Sequence, residues 1–252
     1  MAGEIVCTFA ELDLLGAALQ LDVRQFPFAI PHHATATDER LRLAHTAQSD
    51  LAARGLIRNG DLAPELVRTL TVFAKARVSI AMCGNADQHH HLAVAAIDDH
   101  TAVIAVQQHE SLHFTFAEPD AVVRRLIGLL PPLKPGPGTS ITVAADPPKP
   151  ARRPEQDFSE LTFTSTVRQA TTPRAAAVEL LRQPRLGGGD FVVTVRSRHN
   201  STSTTMGWLD THSGRYAVLN ETDQDGRLHA TYTPSDLAGL DRQLTRIVRS
   251  VV

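Results

Sequence analysis

The stretch RVSIAMCGNADQHHHLAVAAIDDHTAVIAVQQHESLHFTF, residues 77–116, decides the fold class. Its first apolar residues, Val78, Ile80 and Met82, recur with a period of two, which indicates a β-strand. Three further β-rich runs follow, at residues 91–97, 101–107 and 112–116. The segment Asp98-Asp99-His100 is typical of a hairpin turn between two of them. The stretch therefore predicts an antiparallel sheet built from hairpins.

Helical periodicity lies on both sides of this β region. Thr8 and Thr37 are predicted N-caps, Gly55 is predicted to end the second helix, and Pro64 suits the first turn of a third. The predicted helices cover residues 9–21, 37–54, 63–76 and 118–130. A short strand is predicted at residues 141–143.

The second half of the chain repeats the order of elements. A helix is predicted at residues 173–183, and Gly187-Gly188-Gly189 is predicted to end it as a flexible connection. Four strands follow, at residues 191–198, 204–210, 215–219 and 228–232. The segment Thr233-Pro-Ser-Asp236 then opens a last amphipathic helix.

The repeated order predicts a quasi-twofold α+β fold, with a central antiparallel β-sheet of hairpins flanked by two helical groups. We expect an N-terminal half at residues 1–145, a Pro- and Arg-rich linker at 146–156 and a C-terminal half at 157–252, together forming one compact domain.

Composition excludes several classes of protein. The 25 Lys and Arg residues against 27 Asp and Glu give a net charge of −2, which argues against a nucleic-acid binder. Apolar runs are too short for a transmembrane helix, and the acidic N-terminus does not resemble a signal peptide, so no membrane insertion and a cytoplasmic location are expected. Two cysteines cannot form a disulfide framework, and Cys83 is predicted to be a small buried hydrophobe.

The segment His109-Glu110-Ser-Leu-His113 matches the H-E-x-x-H motif of zinc peptidases. That motif needs a helix, which brings both histidines to one metal ion. Here the flanking residues are β-type, and two residues four apart in a strand lie ~13 Å from each other. A turn between two strands is therefore predicted, and a metal-dependent hydrolase using His109, Glu110 and His113 is kept as the alternative function.

A second histidine cluster, His89-His90-His91, is also considered. On a strand, His89 and His91 would share one face ~6.6 Å apart and could share a metal with a third ligand. Because no spaced partner is evident, we predict a solvated loop end, no metal site and no cofactor. Trp208 lies in an apolar strand and is predicted to be core.

The segment Asp210-Thr-His-Ser-Gly-Arg215-Tyr216 is interpreted as structural. Ser213-Gly214 suits a tight hairpin, because glycine tolerates positive φ. Asp210 and Arg215 would then face each other and contribute roughly 0.2–1 kcal/mol. Tyr216 and Val218 are expected on the inward face of their strand.

Several segments in order along the chain resemble the EspG family of type VII secretion chaperones. They are Phe26-Pro-Phe-Ala-Ile-Pro-His-His33, Ala105-Val-Gln-Gln-His-Glu110, Leu129-Leu-Pro-Pro-Leu-Lys-Pro-Gly-Pro-Gly138, Arg185-Leu-Gly-Gly-Gly-Asp-Phe191, Leu209–Tyr216 and Thr233–Asp236. The resemblance covers nearly the whole chain.

The resemblance implies a non-enzymatic, cytosolic specificity chaperone. Such a protein binds the PPE tip of PE–PPE heterodimers, keeps them soluble and directs them to a type VII (ESX) secretion system. It also implies the quasi-twofold fold, and by position it places the loop at residues 85–91 near the partner. The expected partner-binding residues are Asn85, Asp87, Gln88 and His89. The oligomeric state of the free chain is left open.

Overall fold

The computed structural model of the chain describes residues 3–33, 37–145, 178–197, 200–223 and 226–251. The predicted linker at 146–156 lies outside these residues, as do the first five residues of the helix predicted from Pro173.

Three helices precede the main run of strands. They are α1 (Phe9–Leu19), α2 (Thr37–Ala53) and α3 (Pro64–Lys75). Thr8 begins α1 with a capping box, in which the Glu11 amide donates to the Thr8 hydroxyl and the Thr8 amide donates to the Glu11 carboxylate. Pro64 occupies the first turn of α3, where its missing N–H has no helical partner to lose. All three predicted helices are therefore confirmed, with slightly shorter bounds.

A buried carboxylate fixes the chain between α1 and α2. Asp13 on α1 accepts from Arg24, from the amide of His33 and, at 3.1 Å, from Arg40 on α2. Burial raises the pKa of Asp13, but these hydrogen bonds outweigh it and hold the pKa below its usual value. The charged carboxylate thus ties the extended segment to both helices.

Twelve strands are described. They are β1 (Ile5–Thr8), β2 (Ile57–Arg58), β3 (Asp61–Leu62), β4 (Val78–Ala86), β5 (His89–Asp98), β6 (Thr101–Gln108), β7 (Ser111–Ala117), β8 (Ile141–Ala145), β9 (Arg185–Arg196), β10 (Ser201–Thr211), β11 (Gly214–Thr222) and β12 (Leu228–Pro234). A 3₁₀ turn at Pro119–Ala121 leads into α4 (Val122–Ile127), which ends before the predicted residue 130. Residues 178–182 are helical, and the C-terminal helix spans Leu237–Val251.

Ten of these strands form one antiparallel sheet in the order β1-β7-β6-β5-β4-β9-β10-β11-β12-β8. Strands β4 and β9 lie at its centre, and four strands flank each of them in matching order. The predicted quasi-twofold α+β fold is confirmed. Although residues 141–145 were assigned to the N-terminal half, β8 pairs with β12 at the far edge, where it corresponds to β1. The division of the chain into two halves stays a prediction.

The helices cover the sheet on opposite faces. On one face, α1, α2 and α3 pack over the strands of the first half through residues such as Leu66, Phe73 and Phe114. On the other face, α4 and the C-terminal helix pack side by side over the centre, against residues such as Met82 and Phe191. Within the described residues, no helix is long and apolar enough to cross a membrane.

Candidate functional site

One end of the sheet gathers three features that the sequence analysis treated separately. There β4 turns into β5, β9 begins, and β10 turns into β11. The register places Asn85 of β4 opposite Gly188 of β9, and Asp210 of β10 opposite Gly187. The two hairpins therefore end on either side of the first residues of β9.

The β4–β5 hairpin has a polar, exposed tip. Asp87 and Gln88 form a two-residue turn with φ of 50° and 61°, as a type I′ turn requires. Asn85, Asp87, Gln88 and His89 are all exposed, so the structure brings the predicted partner-binding residues together in one turn. The predicted loop over residues 85–91 is too long, because strand pairing continues to Ala86 and His89 and leaves only Asp87 and Gln88 in the turn.

The three histidines lie at the start of β5, not in a solvated loop. His89 and His90 are exposed and His91 is half-buried. Burial lowers the pKa of His91 and outweighs a hydrogen bond to the backbone of Ala86, which raises it; the positive charge of Arg215 and the two neighbouring histidines lower it further.

The glycine run is part of strand β9 and does not end a helix, which corrects the sequence-based prediction. Gly189 pairs with Gly84 on β4 and with Trp208 on β10. A Cβ atom on Gly84 would lie 2.7 Å from the Trp208 ring, and one on Gly189 would lie 2.6 Å from the Gly84 Cα. The indole thus covers two glycines, and Trp208 is buried, as predicted.

Next to this glycine pair, Leu186 projects from the beginning of β9 with 42% of its surface exposed. No local pattern singles out Leu186, because a glycine run after a predicted helix indicates a connection, in which an apolar residue has no defined direction. Only the strand that begins at Arg185 fixes its position.

The β10–β11 hairpin is closed and buried. The Arg215 guanidinium donates to both oxygens of Asp210, at 2.6 and 2.8 Å, and neither side chain is exposed. The Thr211 hydroxyl donates to the Gly214 carbonyl at 2.9 Å across the turn. The predicted pairing is confirmed. The predicted contribution of roughly 0.2–1 kcal/mol is typical of cross-strand pairs, whereas both side chains are buried here, so the loss of one partner should cost more.

Arg215 also joins several segments of the chain through its backbone. Its amide donates to Lys134, and its carbonyl accepts from Gly136 and from Ser235. The ring of Tyr216 lies against Gly136, and its hydroxyl donates to Pro137. Four of the six segments that resemble EspG proteins therefore meet around this hairpin, including the Arg185–Phe191 run through the pairing of Asp210 with Gly187.

The H-E-x-x-H residues lie as the turn prediction expects. His109 and Glu110 form the turn between β6 and β7, with a φ of 55° at His109. His113 lies within β7, opposite Val106 and Val6, and its Nδ1 atom is 3.1 Å from a carboxylate oxygen of Glu4. The helix that a zinc peptidase needs is not formed at these residues. Over the described ranges, no group of three or more His, Cys, Asp or Glu is placed to hold a metal ion.

Neither cysteine has the environment of a reactive thiol. Burial raises the pKa of Cys7 to about 12. Cys83 is only half-buried, which corrects the prediction of a buried side chain; burial, and then the nearby Asp190, raise its pKa above the usual value. Both thiols therefore stay protonated at neutral pH.

These features define an α+β protein with a quasi-twofold ten-stranded sheet and an exposed polar hairpin beside a buried one. A sequence model described as the EspG family matches residues 8–246, so the chain belongs to the EspG family.

Among solved structures, the chain is similar to the Mycobacterium tuberculosis type VII secretion system chaperone EspG5, which was solved in complex with the PE25–PPE41 dimer. The match has a TM-score of 0.63 at 12% identity and covers 95% of this chain and 93% of the other. At this identity it shows a shared fold. A search of curated proteins finds no match.

Proposed function

We propose that the chain is a cytosolic, non-enzymatic chaperone that binds the PPE tip of PE–PPE heterodimers and directs them to a type VII secretion system. The observation that carries this proposal is the fold shared, over nearly the full length of both chains, with a chaperone solved with a PE–PPE dimer. Membership of the EspG family supports it independently of any one structure.

The physical logic of such a function is simple. An exposed apolar tip on a helical bundle favours aggregation, and a partner that buries the tip removes that tendency. Because the cargo must be released for secretion, a reversible interface of modest area is expected. Discrimination between secretion systems then requires polar groups that penalise the wrong partner.

The β4–β5 tip supplies such groups, and we place it at the edge of the contact surface. Asn85, Asp87, Gln88 and His89 are exposed there, and the apolar side chain of Leu186 projects from the neighbouring strand. Gln88 adopts positive φ without being glycine, a conformation unfavourable by about 1 kcal/mol or more, whereas Asp87 is a residue type that tolerates it. Backbone strain of this kind often accompanies a functional role.

Co-expression tests the function itself. The tag-free chain is produced with each PE–PPE pair encoded in the same genome, and the soluble fraction is separated by size-exclusion chromatography. We expect one cognate pair to co-elute with the chain and to become more soluble in its presence. If the folded chain co-elutes with none of these pairs, the proposed function is wrong.

A charge change at the tip tests the contact surface. The double variant Asn85→Arg, Asp87→Lys should weaken binding of the cognate pair by about tenfold or more, since a reversed charge at an interface leaves a group unpaired or repelled. Its melting temperature should fall only slightly, because both side chains are exposed but lysine tolerates the positive φ of Asp87 less well than aspartate. Calorimetric titration and thermal denaturation measure the two effects.

The matched control is Asp99→Lys, which reverses a charge in the β5–β6 turn at the opposite end of the sheet. This variant should bind with unchanged affinity. Unchanged affinity of the double variant would remove the β4–β5 tip from the contact surface while leaving the chaperone function standing.

A further inference from the structure

The histidines at the start of β5 alternate between the two faces of the strand. Because successive side chains of a strand point to opposite faces, His89 and His91 share one face and His90 points to the other. The Cα atoms of His89 and His91 are separated by roughly 6.6 Å along the strand. The two rings are close enough for the charge of His89 to lower the pKa of His91.

The His89 ring is held by a backbone carbonyl of the same hairpin. The Nδ1 atom of His89 lies 2.6 Å from the carbonyl oxygen of Asp87. Because a carbonyl oxygen only accepts, Nδ1 carries the proton and Nε2 keeps a free lone pair. The backbone of Ala86 lies close enough to the His91 ring to raise its pKa. Histidines that bind metals usually donate their second ring N–H to an acceptor such as a carbonyl, as His89 does, which orients the ligating nitrogen.

The surroundings allow a cation to approach. His89 is exposed, and the Asp87 carboxylate lies in the adjoining turn, also exposed. The positive charge of Arg215 lowers the pKa of His91, but Arg215 lies on another strand, is buried, and donates two hydrogen bonds to Asp210. Approach from solvent at the exposed hairpin tip is therefore open.

We infer that His89 and His91 chelate one divalent transition-metal ion, with solvent completing the coordination. Imidazole ligands select ions such as Zn²⁺ and Cu²⁺ over Mg²⁺, which prefers oxygen. The sequence predicts no metal site here because no third protein ligand is evident, and the described residues bring none together; the inference therefore concerns a site with two protein ligands. The inference does not depend on the proposed function, because it concerns the free chain.

Calorimetric titration of the tag-free full-length chain with Zn²⁺, Cu²⁺ or Mg²⁺ tests the inference. We expect one Zn²⁺ or one Cu²⁺ per chain and no measurable Mg²⁺ binding. His89→Gln and His91→Gln should each weaken Zn²⁺ binding by about tenfold or more, because one ligand of a two-ligand chelate is lost. His90→Gln is the matched control and should bind as the wild type does.

Two results would overturn the inference. One is equal weakening by all three substitutions, which would indicate non-specific binding to a histidine-rich surface. The other is wild-type affinity in the variant that carries both His89→Gln and His91→Gln, which would place the ion elsewhere. Circular dichroism verifies the fold of each variant, and the electron paramagnetic resonance spectrum of the Cu²⁺ complex should show coupling to imidazole nitrogen.

Discussion

Two hairpins end side by side on either side of the first residues of β9, and they differ in almost every physical respect. The β4–β5 tip is exposed and polar, with two residues at positive φ. The β10–β11 hairpin is buried, holds a bidentate Arg215–Asp210 ion pair and lies against the segment around Gly136. Strand β9 and its glycines join the two.

This difference indicates a division of labour at one end of the sheet. The buried hairpin fixes the geometry of the end, because the backbone of Arg215 joins Lys134, Gly136 and Ser235. The side chains at the exposed tip do not join other segments in this way, so they are available to contact a partner. Changes in the buried β10–β11 hairpin should therefore affect stability, and changes in the exposed β4–β5 tip should affect binding.

The largest effect is expected for Gly214→Val. Gly214 has a φ of +141°, and a Cβ atom there would lie 2.6 Å from the Gly136 amide nitrogen and from the Pro135 carbonyl oxygen. Valine at this position would combine an unfavourable φ with a clash against the backbone. We therefore expect the free energy of unfolding to fall by about 4 kcal/mol or more, or the variant not to fold. Denaturant unfolding measures it.

The control for Gly214→Val is Gly60→Val. Gly60 also has positive φ, at +90°, but no atom lies within 4 Å of its added Cβ. Gly60→Val introduces the unfavourable φ without a clash, so its free energy of unfolding should fall by about 1–2 kcal/mol. Equal losses in the two variants would mean that packing against Gly136 contributes nothing, and the contrast between the hairpins would weaken.

The next effect is expected for Arg215→Ala. Removing one partner of a buried ion pair leaves the other charge uncompensated, which destabilises a protein by about 3–5 kcal/mol. The double variant Asp210→Leu, Arg215→Met should lose less than Arg215→Ala, because no charge then stays buried. Urea unfolding of both variants checks this order.

The opposite order, with the double variant less stable than Arg215→Ala, would show that the ion pair itself stabilises the fold. A loss of 1 kcal/mol or less in Arg215→Ala would instead restore the estimate made for a solvated pair. Abolished PE–PPE binding in Arg215→Ala at an unchanged melting temperature would make the hairpin a recognition site.

The strands and helices were largely predictable from sequence, because their signals are local. The alternation of Val78, Ile80 and Met82 indicates a strand, and Thr8 and Pro64 each indicate the beginning of a helix. None of these signals depends on the rest of the chain. The resulting order of elements was sufficient to predict the quasi-twofold sheet.

The failures at the candidate site have a common cause, which is that distant residues decide the outcome. Glycines read alone indicate a break in the chain, but Trp208 from another strand covers Gly189 and makes it a strand residue. The local hairpin predicts the pairing of Arg215 with Asp210 but not its burial, which depends on segments distant in sequence, around Gly136 and Ser235, that contact the backbone of Arg215. No pattern within a few residues contains this information.

The smallest effect is expected for a change in the exposed β4–β5 turn. Asp87 and Gln88 occupy turn positions that favour Asn-Gly, so the variant Asp87→Asn, Gln88→Gly should gain about 0.5–1 kcal/mol. If the two side chains contact the partner, the same variant should bind the cognate PE–PPE pair more weakly although it is more stable. Thermal denaturation and calorimetric titration of one preparation measure the stability and the affinity.

Higher stability with unchanged affinity would mean that the turn tolerates its strain without a binding role, whereas lower stability would contradict the assignment of a type I′ turn. Stability and binding changing in opposite directions is the result that distinguishes this hairpin from its buried neighbour, where a substitution such as Arg215→Ala should lower stability and leave the affinity of the folded chain nearly unchanged.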